Sequence, residues 1–416
     1  MDQDALPSFF TRSACCRTLM PLAASLWLVG CAQLPDAPPK AELKAVESYG
    51  ASKLPLNAEV VWPTQQWWRS YGDSQLNTLI DEALANSPDM TIAAARLRSA
   101  EARGQQARSA LLPQLSASAT ASQQRQSYNY LLPREMSPIG WKEYGQATLD
   151  LSWDLDFWGK NRASLAAATS VIEATRAEQY QAQLELSAAV AMAYANLAQY
   201  YAERDSVAEV VEARRKTAEL FDKRYHNGME TRSALHIAQS RLAAAQGELQ
   251  VPDERIQLTR YQLAELLGAG PDRGLAIKRP QINLHNVRGL PEQLPVNLLG
   301  RRPDIAAARY NATVTHALQE VASAGLSQKA LTAQIASAQT AATEASEAWR
   351  VVSKRYEGGL ATYIDVLYAQ DSVLECQRRL AVVQSRAFSV DVALQRALGG
   401  GYQLPQDEEA KGSDDV

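Results

Sequence analysis

The stretch TLDLSWDLDFWGK, residues 148–160, decides the fold class because its first ten residues alternate strictly between polar and apolar side chains. The apolar positions are Leu149, Leu151, Trp153, Leu155 and Phe157. Successive side chains of a strand point to opposite faces, so the pattern predicts a strand with one apolar and one polar face. A Ser- and Ala-rich segment, residues 114–126, alternates more loosely. Together the two segments predict a β-hairpin over residues 114–157, with its second strand over 146–157.

A very long helix is predicted directly after this strand. The chain has neither Gly nor Pro from Lys160 to Asn227. At about 1.5 Å per residue this segment makes a helix of about 100 Å, whereas ordinary helices average about 11–12 residues. Abundant Ala and only five Phe also favour closely packed helices. The predicted fold is mainly α with a small β part, built from long antiparallel helical rods.

An internal repeat runs through the chain. RYHNGMETRSALHIAQ, which begins at position 224, matches RYEGGLATYIDVLYAQ, which begins at position 355, so the offset is 131. The predicted helix starts at Pro88 and Pro303 match at an offset of 215. Because the second offset is larger by 84, the second repeat lacks a segment equivalent to about 95–178 of the first. That interval contains both strands, and the strand pair therefore occurs only once.

The repeat and the predicted elements define the domain organisation. The segments are a signal peptide over 1–30, a lipid-anchored linker over 31–60, repeat 1 over 61–270, an inter-repeat linker over 271–300, repeat 2 over 301–401 and an acidic tail over 402–416. The elements of repeat 1 are a first helix, the hairpin over 114–157, the long helix over 160–227 and a return helix over 231–268. Repeat 2 lacks the hairpin.

The N-terminal segment has the features of a targeting signal. Arg12 and Arg17 precede an apolar run over 19–29 that is too short to span a bilayer. The following Leu-Val-Gly-Cys resembles the bacterial lipobox, which implies acylation of Cys31; Ala32 then favours delivery to the outer membrane. An ordinary signal peptide with an incidental cysteine is the alternative.

The two RYxxG segments predict matching turns between long helices. Gly228 and Gly359 are expected to end one helix of each pair in a left-handed conformation. Thr231 and Thr362 are expected to cap the returning helices. A tight helix–turn–helix accounts for these residues structurally, and docking of a partner at the tips is the more specific interpretation.

Several stretches together resemble the TolC-like outer-membrane efflux protein family, and its NodT-type lipoprotein branch most closely. They are Cys31, QWWRSYGDSQLNTLI, LDLSWDLDFWGKNRA, LLGRRPDIAAAR, YNATVTHALQEVA, the two RYxxG tips and ALGGGY. The resemblance implies a homotrimer in which each protomer gives four strands to a twelve-stranded membrane barrel and long helices to a periplasmic tunnel. It also implies a periplasmic adaptor (membrane fusion protein) and an inner-membrane pump as partners, with the chain lipid-anchored in the outer membrane and facing the periplasm.

The resemblance also assigns roles to particular residues. The apolar strand face would contact lipid, flanked by an aromatic girdle of Tyr128, Tyr130, Trp141 and Tyr144. The alternative is an ordinary hairpin half-buried against a protein core. In the family two carboxylates one helical turn apart ring the tunnel entrance; Asp365 matches the first, and the second falls on Tyr368. An exposed, solvated carboxylate is the commoner explanation for Asp365.

The sequence predicts no enzyme, no cofactor and no metal site. Its histidines are scattered, Cys376 is a lone thiol once the N-terminal cysteines are set aside, and no His/Cys ligand spacing occurs. A net charge of −4 does not favour binding to nucleic acid. Arg301, Arg302 and Asp304 are expected to build the entrance of a helix.

Two functions remain open at this point. The first is the exit duct of a tripartite exporter. The second is a lipid-anchored helical scaffold, or an adaptor-binding remnant, without a conducting pore. The strand count favours the second, since three copies supply six strands and bacterial single-chain barrels begin at about eight.

Overall fold

The computed structural model describes residues 62–127, 133–136, 139–282, 298, 301–307 and 310–403. The predictions for the signal peptide, for the linker over 31–60, for Cys31 and for Tyr128 and Tyr130 lie outside the described residues. So do most of the inter-repeat linker and nearly all of the acidic tail.

Helices account for most of the described chain. The elements in chain order are a short 3₁₀ helix Trp67–Tyr71, α1 Ser74–Asn86, α2 Pro88–Ser109, β1 Gln114–Arg125, a 3₁₀ turn Arg134–Met136, β2 Trp141–Ser152, α3 Lys160–His226, α4 Arg232–Leu266, α5 Pro271–Leu275, α6 Pro303–Ala307, α7 Tyr310–Glu357 and α8 Tyr363–Ala397. The predicted fold class, mainly α with a small β part, is confirmed.

Two long helical hairpins form the body of the protomer. α3 has 67 residues and packs against α4, and α7 has 48 residues and packs against α8. The two hairpins meet where α3 packs against α8. α4 and α8 have 35 residues each, so the return helices of the two repeats are equal in length. The outgoing helices are not, because α7 is much shorter than α3.

The main apolar core joins the middle of α3 to α1 and to the segment before it. At its edge, the buried carboxylate of Asp73 caps α1 by accepting hydrogen bonds from the Gln75 and Leu76 amides. Its second oxygen accepts from the Tyr194 hydroxyl at 3.0 Å and from the Gln281 amide at 3.0 Å. Burial raises the pKa of the Tyr194 hydroxyl, which therefore stays a donor. The buried carboxylate thus has hydrogen-bond donors on both of its oxygens, as a buried polar group requires.

The strand pair is present, but β2 differs from its predicted extent. β2 begins and ends five residues earlier than the predicted 146–157. Its last residue, Ser152, pairs with Gln114, the first residue of β1. Pro113 precedes Gln114 and has no backbone N–H to continue the ladder. Alternation in the sequence continues beyond Ser152, but the strand ends there because its partner ends.

The start of the second repeat is held by a buried arginine. The Arg302 guanidinium donates two hydrogen bonds to Asp304, at 2.9 and 2.6 Å, and one to Glu320 at 2.8 Å. It also donates to the backbone carbonyl of Ala397 at the end of α8. Arg302 and Asp304 therefore build the helix entrance as predicted. Glu320 and the end of α8 are partners that only the structure identifies.

We expect Arg302→Ala to lower the free energy of unfolding by about 3–5 kcal/mol, since it leaves the partly buried carboxylate of Asp304 without its arginine partner and leaves Glu320 paired with Arg396. Arg301→Ala is the matched control. The Arg301 guanidinium lies 4.8 Å from the centroid of the Trp62 ring, a contact worth about 0.5–1 kcal/mol at a partly exposed site. Thermal and denaturant unfolding of both variants would measure the difference; equal effects would contradict the proposed importance of the buried network.

Candidate functional site

The register of the β-hairpin separates its side chains into two chemically different faces. Directly paired residues of an antiparallel ladder lie on the same face. One face carries Leu115–Leu151, Ala117–Leu149, Ala119–Ala147 and Ala121–Gly145, and then, toward the connecting loop, Gln123–Glu143 and Arg125–Trp141. The other face carries Gln114–Ser152, Ser116–Asp150, Ser118–Thr148, Thr120–Gln146, Ser122–Tyr144 and Gln124–Lys142. Over residues 115–121 and 145–151 the hairpin thus has an apolar face and a polar face, each made by both strands, whereas its loop end is polar on both faces apart from Trp141 and Tyr144.

Both faces of the hairpin are exposed in the protomer. Every residue of β1 is exposed, and in β2 only Thr148 is partly covered. On the apolar face Leu149 and Leu151 are 69% and 72% exposed. The alternative of a hairpin half-buried against a core is therefore wrong for the described chain. A two-stranded hairpin alone is at best marginally stable in water, so this one requires a non-aqueous environment or pairing with further strands.

The apolar row continues past the strand as a loop. Trp153, Leu155 and Phe157 were expected in the membrane strand, but they lie between β2 and α3 because the ladder has already ended. All three are exposed, and the Trp153 indole donates to the backbone carbonyl of Leu111 at 3.2 Å. Trp158, which sequence reasoning missed, is 97% exposed. It lies outside the alternation, so no periodicity signalled it.

The two predicted turns end α3 and α7 with the same hydrogen bonds. Gly228 has φ +69° and Gly359 has φ +75°, the left-handed region that glycine adopts without steric cost. In the first turn the Met229 amide donates to Arg224 and the Gly228 amide donates to Tyr225. In the second turn the amides of Leu360 and Gly359 donate to Arg355 and Tyr356, respectively. This Schellman pattern explains why Gly recurs at these positions, whereas the Arg and Tyr residues accept these bonds with their backbone carbonyls.

The two tips pack against each other within the protomer. The Phe221 ring near the end of α3 lies 4.7 Å from the Tyr363 ring and 6.5 Å from the Tyr356 ring, centroid to centroid. The Arg224 guanidinium lies over the Tyr356 ring and donates to its hydroxyl at 3.4 Å. The tips therefore present one joint surface, from which Met229 and Leu360 project with exposed side chains.

The caps of the returning helices differ between the tips. Thr231 accepts a hydrogen bond from the Ala234 amide. Thr362 accepts from the Asp365 amide, and the Asp365 carboxylate accepts in return from the Thr362 amide at 2.8 Å and from its hydroxyl at 2.7 Å. These bonds lower the pKa of Asp365 below its ordinary value of 3.8. The second tip thus has a full capping box, and Asp365 is part of it.

The tunnel-gate candidates are both at the surface. Asp365 is exposed, and Tyr368 is 73% exposed one helical turn further along α8. The Asp365 carboxylate accepts hydrogen bonds from Thr362 and so helps to cap α8. The sequence did not predict this structural role. A gate formed by this pair stays a prediction.

A groove of about 810 Å³ runs above the tips between α3 and the α7–α8 hairpin. Its rim is mainly acidic, with Asp205, Glu209, Glu212 and Glu357 beside a single Lys216, and its apolar lining includes Trp349 and Val366. A hydrogen bond from Arg215 lowers the pKa of Glu212 to about 2, so that carboxylate is ionised throughout the neutral range. Two of these carboxylates already have cationic partners, since Asp205 pairs with Arg279 and Glu212 pairs with Arg215.

The described residues form neither a metal-binding cluster nor a membrane-spanning helix. No cluster of three His, Cys, Asp or Glu side chains there has a geometry that could hold a metal ion. No helix in this part of the chain combines the length and apolar character needed to cross a membrane.

Comparison with known proteins identifies the family. The family model described as "Outer membrane efflux protein" matches residues 79–269 and 298–400. The chain belongs to the outer membrane efflux protein family. This confirms the resemblance at family level, and the two matched segments correspond to the two repeats. The NodT-type branch and the deletion in the second repeat stay predictions.

Among relatives of this efflux family, the fusaric acid resistance protein FusA of Burkholderia cepacia is 38% identical over 294 residues, which cover 70% of this chain and 55% of FusA. The putative multidrug resistance outer membrane protein MdtQ of Escherichia coli K12 is 29% identical over 314 residues, or 73% of this chain and 63% of MdtQ. The chain thus spans about three-fifths of the length of the curated relatives it matches.

Solved structures show the same architecture. The outer membrane protein VceC of Vibrio cholerae matches with a TM-score of 0.71 and 36% identity, over 82% of this chain and 100% of VceC. The CmeC outer membrane channel of Campylobacter jejuni has a TM-score of 0.76 at 18% identity, over 90% of this chain and 95% of CmeC, and shows the fold alone. The TolC-like helical fold is confirmed.

We expect Thr362→Ala to raise the exchange rate of the Asp365 amide about fivefold, since losing a Thr N-cap typically costs about 1 kcal/mol. Thr231→Ala is the matched control and should have a smaller effect at Ala234, where no reciprocal bond is lost.

The Asp365 carboxyl should also titrate closer to 3.8 in Thr362→Ala. Because its folded-state pKa is lowered, its stabilising contribution is present at neutral pH and is lost only as the pH falls through that lowered value. An unchanged titration would contradict the capping role.

Proposed function

We propose that the chain is the outer-membrane channel subunit of a tripartite efflux system and exports small molecules from the periplasm to the exterior as a trimeric lipoprotein duct. The observation that carries this proposal is the hairpin register, which gives β1 and β2 a shared apolar face and a shared polar face while leaving both uncovered. Lipid on one side and an aqueous lumen on the other are the surroundings that such a ladder matches.

The hairpin supplies the membrane part of the duct. Leu149 and Leu151 would face lipid, and the polar row that includes Thr148 would face water. On that row the hydroxyls of Ser118 and Thr148 are 2.6 Å apart and satisfy each other. The apolar row extends through Trp153, Leu155 and Phe157, where aromatic side chains suit the headgroup level. Strand edges cannot stay unpaired in hydrocarbon, so the hairpin must join others there.

The long helices supply the periplasmic part. α3, at about 100 Å, would stand in the periplasm with its tip turned away from the outer membrane. The tips at Gly228, Thr231, Gly359 and Thr362 and the acidic groove above them would receive a periplasmic adaptor, and an inner-membrane pump would supply the energy. Complementarity with Glu209 and Glu357, which also line the groove, favours a positively charged adaptor helix. In a trimer, Asp365 and Tyr368 would surround the tunnel entrance, and a ring of carboxylates there would favour cations.

A lipid anchor would keep the protomers at the outer membrane. Acylation of Cys31 places hydrocarbon chains at the end of the linker over 31–60. Each buried methylene contributes about 0.8 kcal/mol, so two or more chains hold a protein at a membrane stably.

The number of strands supports a second candidate function. Three protomers with one hairpin each supply six strands, and an eight-stranded barrel is already filled by its own side chains. A lipid-anchored scaffold that binds the adaptor without conducting would need the helices and tips but no open barrel.

In a Cys31→Ser background, which removes the proposed lipid anchor, we expect Ala119→Arg to reduce recovery of the protein in the outer-membrane fraction, because a charge on the lipid face near the middle of a strand costs about 2–4 kcal/mol. Thr120→Arg is the matched control: it places the same side chain at the next position, on the polar face, and should insert normally. The measurement is carbonate-resistant membrane association of both variants. If both variants lose membrane association equally, or if neither loses it, the assignment of the two faces is wrong.

Planar-bilayer recording of the purified, folded protein separates the two functions. A duct subunit is expected to give stable conductance steps that disappear in Ala119→Arg and persist in Thr120→Arg. A protein that inserts and binds at its tips, but stays electrically silent at all protein concentrations, would favour the scaffold.

A further inference from the structure

We infer that this chain assembles with a longer chain of its own family, one that carries a strand pair in each repeat, to form a mixed trimer. The inference rests on the proposed function, because it concerns how the membrane part of the duct is completed. Its partner is defined by structure: two hairpins with an apolar and a polar face, joined to helical hairpins like those of this chain.

The first supporting observation is that the two repeats match at one end and differ at the other. Both tips have the same Schellman bonds, and both return helices have 35 residues. The difference in length between the repeats is confined to the other end, where α3 follows β2 and α7 follows the short α6. The tunnel-forming part of this chain is thus equivalent in both repeats, while the membrane part occurs once among the described residues.

The second observation is the state of the strand edges. In the described chain β1 pairs only with β2, and each strand has an outer edge with no strand beside it. Exposed edges are the sites at which sheets take up strands from other chains. Because these edges need partners in hydrocarbon, the hairpin selects neighbours that bring strands.

Additional copies of this chain supply too few strands for the number of long helices that they also bring. Each copy adds two strands but also the four long helices α3, α4, α7 and α8. At about 6 Å of circumference per tilted strand and about 9 Å per helix, one copy adds about 12 Å of sheet to about 36 Å of helical ring. By the same estimate, a chain with both hairpins adds about 24 Å of sheet to the same ring. Combining this chain with two such chains gives ten strands, which exceeds the minimum for a barrel.

Chains of the required length exist in the family. The matched stretch covers 70% of this chain but only 55% of FusA, so FusA is longer than this chain by about a quarter. The segment that the second repeat lacks, equivalent to 95–178 of the first, is about a fifth of this chain. Relatives such as FusA are therefore long enough to carry the strand pair that this chain lacks.

The test is co-expression of this chain and FusA with different affinity tags, followed by tandem purification in detergent and native mass spectrometry. We expect trimers that contain one or two copies of this chain. A second partner, made by duplicating residues 95–178 between Arg309 and Tyr310 of this chain, removes any species mismatch. Recovery of homo-oligomers alone with both partners would overturn the inference.

Two variants show whether the hairpins drive the mixing. Ala119→Arg in this chain should reduce mixed trimers at least tenfold, whereas Thr120→Arg should leave them unchanged. If Ala119→Arg mixes as well as the unaltered chain, the helices alone are responsible and the inference fails.

Conductance separates this inference from the proposed function. Barrel diameter grows roughly linearly with strand number, so mixed trimers should conduct less per channel than trimers of the longer chain. Conducting trimers of this chain alone, without mixing, would leave the proposed function standing and refute the mixed assembly. Mixed trimers that form but conduct no better than background would support the assembly and refute the duct.

Discussion

Backbone hydrogen bonding in hydrocarbon is the constraint on which this molecule depends. A helix satisfies its own N–H and C=O groups, so α3 can extend for 67 residues without help from its neighbours. A strand cannot, and β1 and β2 satisfy only the groups that face each other. The apolar face of the hairpin is suited to lipid, but the unpaired N–H and C=O groups at its strand edges are unfavourable in lipid until other strands pair with them. In the part of the chain that the structure describes, the helices are therefore complete in their backbone hydrogen bonds and the two-stranded sheet is not, so the proposed duct would require the hairpin to pair with further strands.

Buried polar groups with full sets of hydrogen-bond partners hold the helical body together at two points. Asp73 connects the start of α1 to α3 and to the segment after α5. Arg302 connects the start of repeat 2 to α7 and to the end of α8. A buried ionised group without partners would cost several kcal/mol, so each of these residues specifies one arrangement of its helices. The second network lies just before α7, the point where the sequence offset between the repeats changes.

The tips show how a repeat can keep its backbone and change its surface. The Schellman bonds depend on Gly228 and Gly359 and on the main chain, and both repeats retain them. The side chains around those turns differ: the position of Asp365 in the capping box is taken by Ala234 in the other tip. The resulting joint surface has one reinforced cap and one simpler cap. Such a difference allows the two tips of one protomer to meet a partner differently although their turns are the same.

The sequence by itself determined the features that local chemistry controls. The absence of Gly and Pro fixed α3 to within one residue, and the tip residues fixed both turns. The tertiary structure decided whatever depends on a distant partner. β2 ends at Ser152 because Pro113 ends the opposite ladder, although the alternation continues to Phe157. Likewise, Arg302 is held by Glu320 and by the carbonyl of Ala397, and Phe221 by the opposite tip. Periodicity and capping act within a few residues of the chain, whereas strand registers and buried ion pairs join residues whose separation the sequence does not encode.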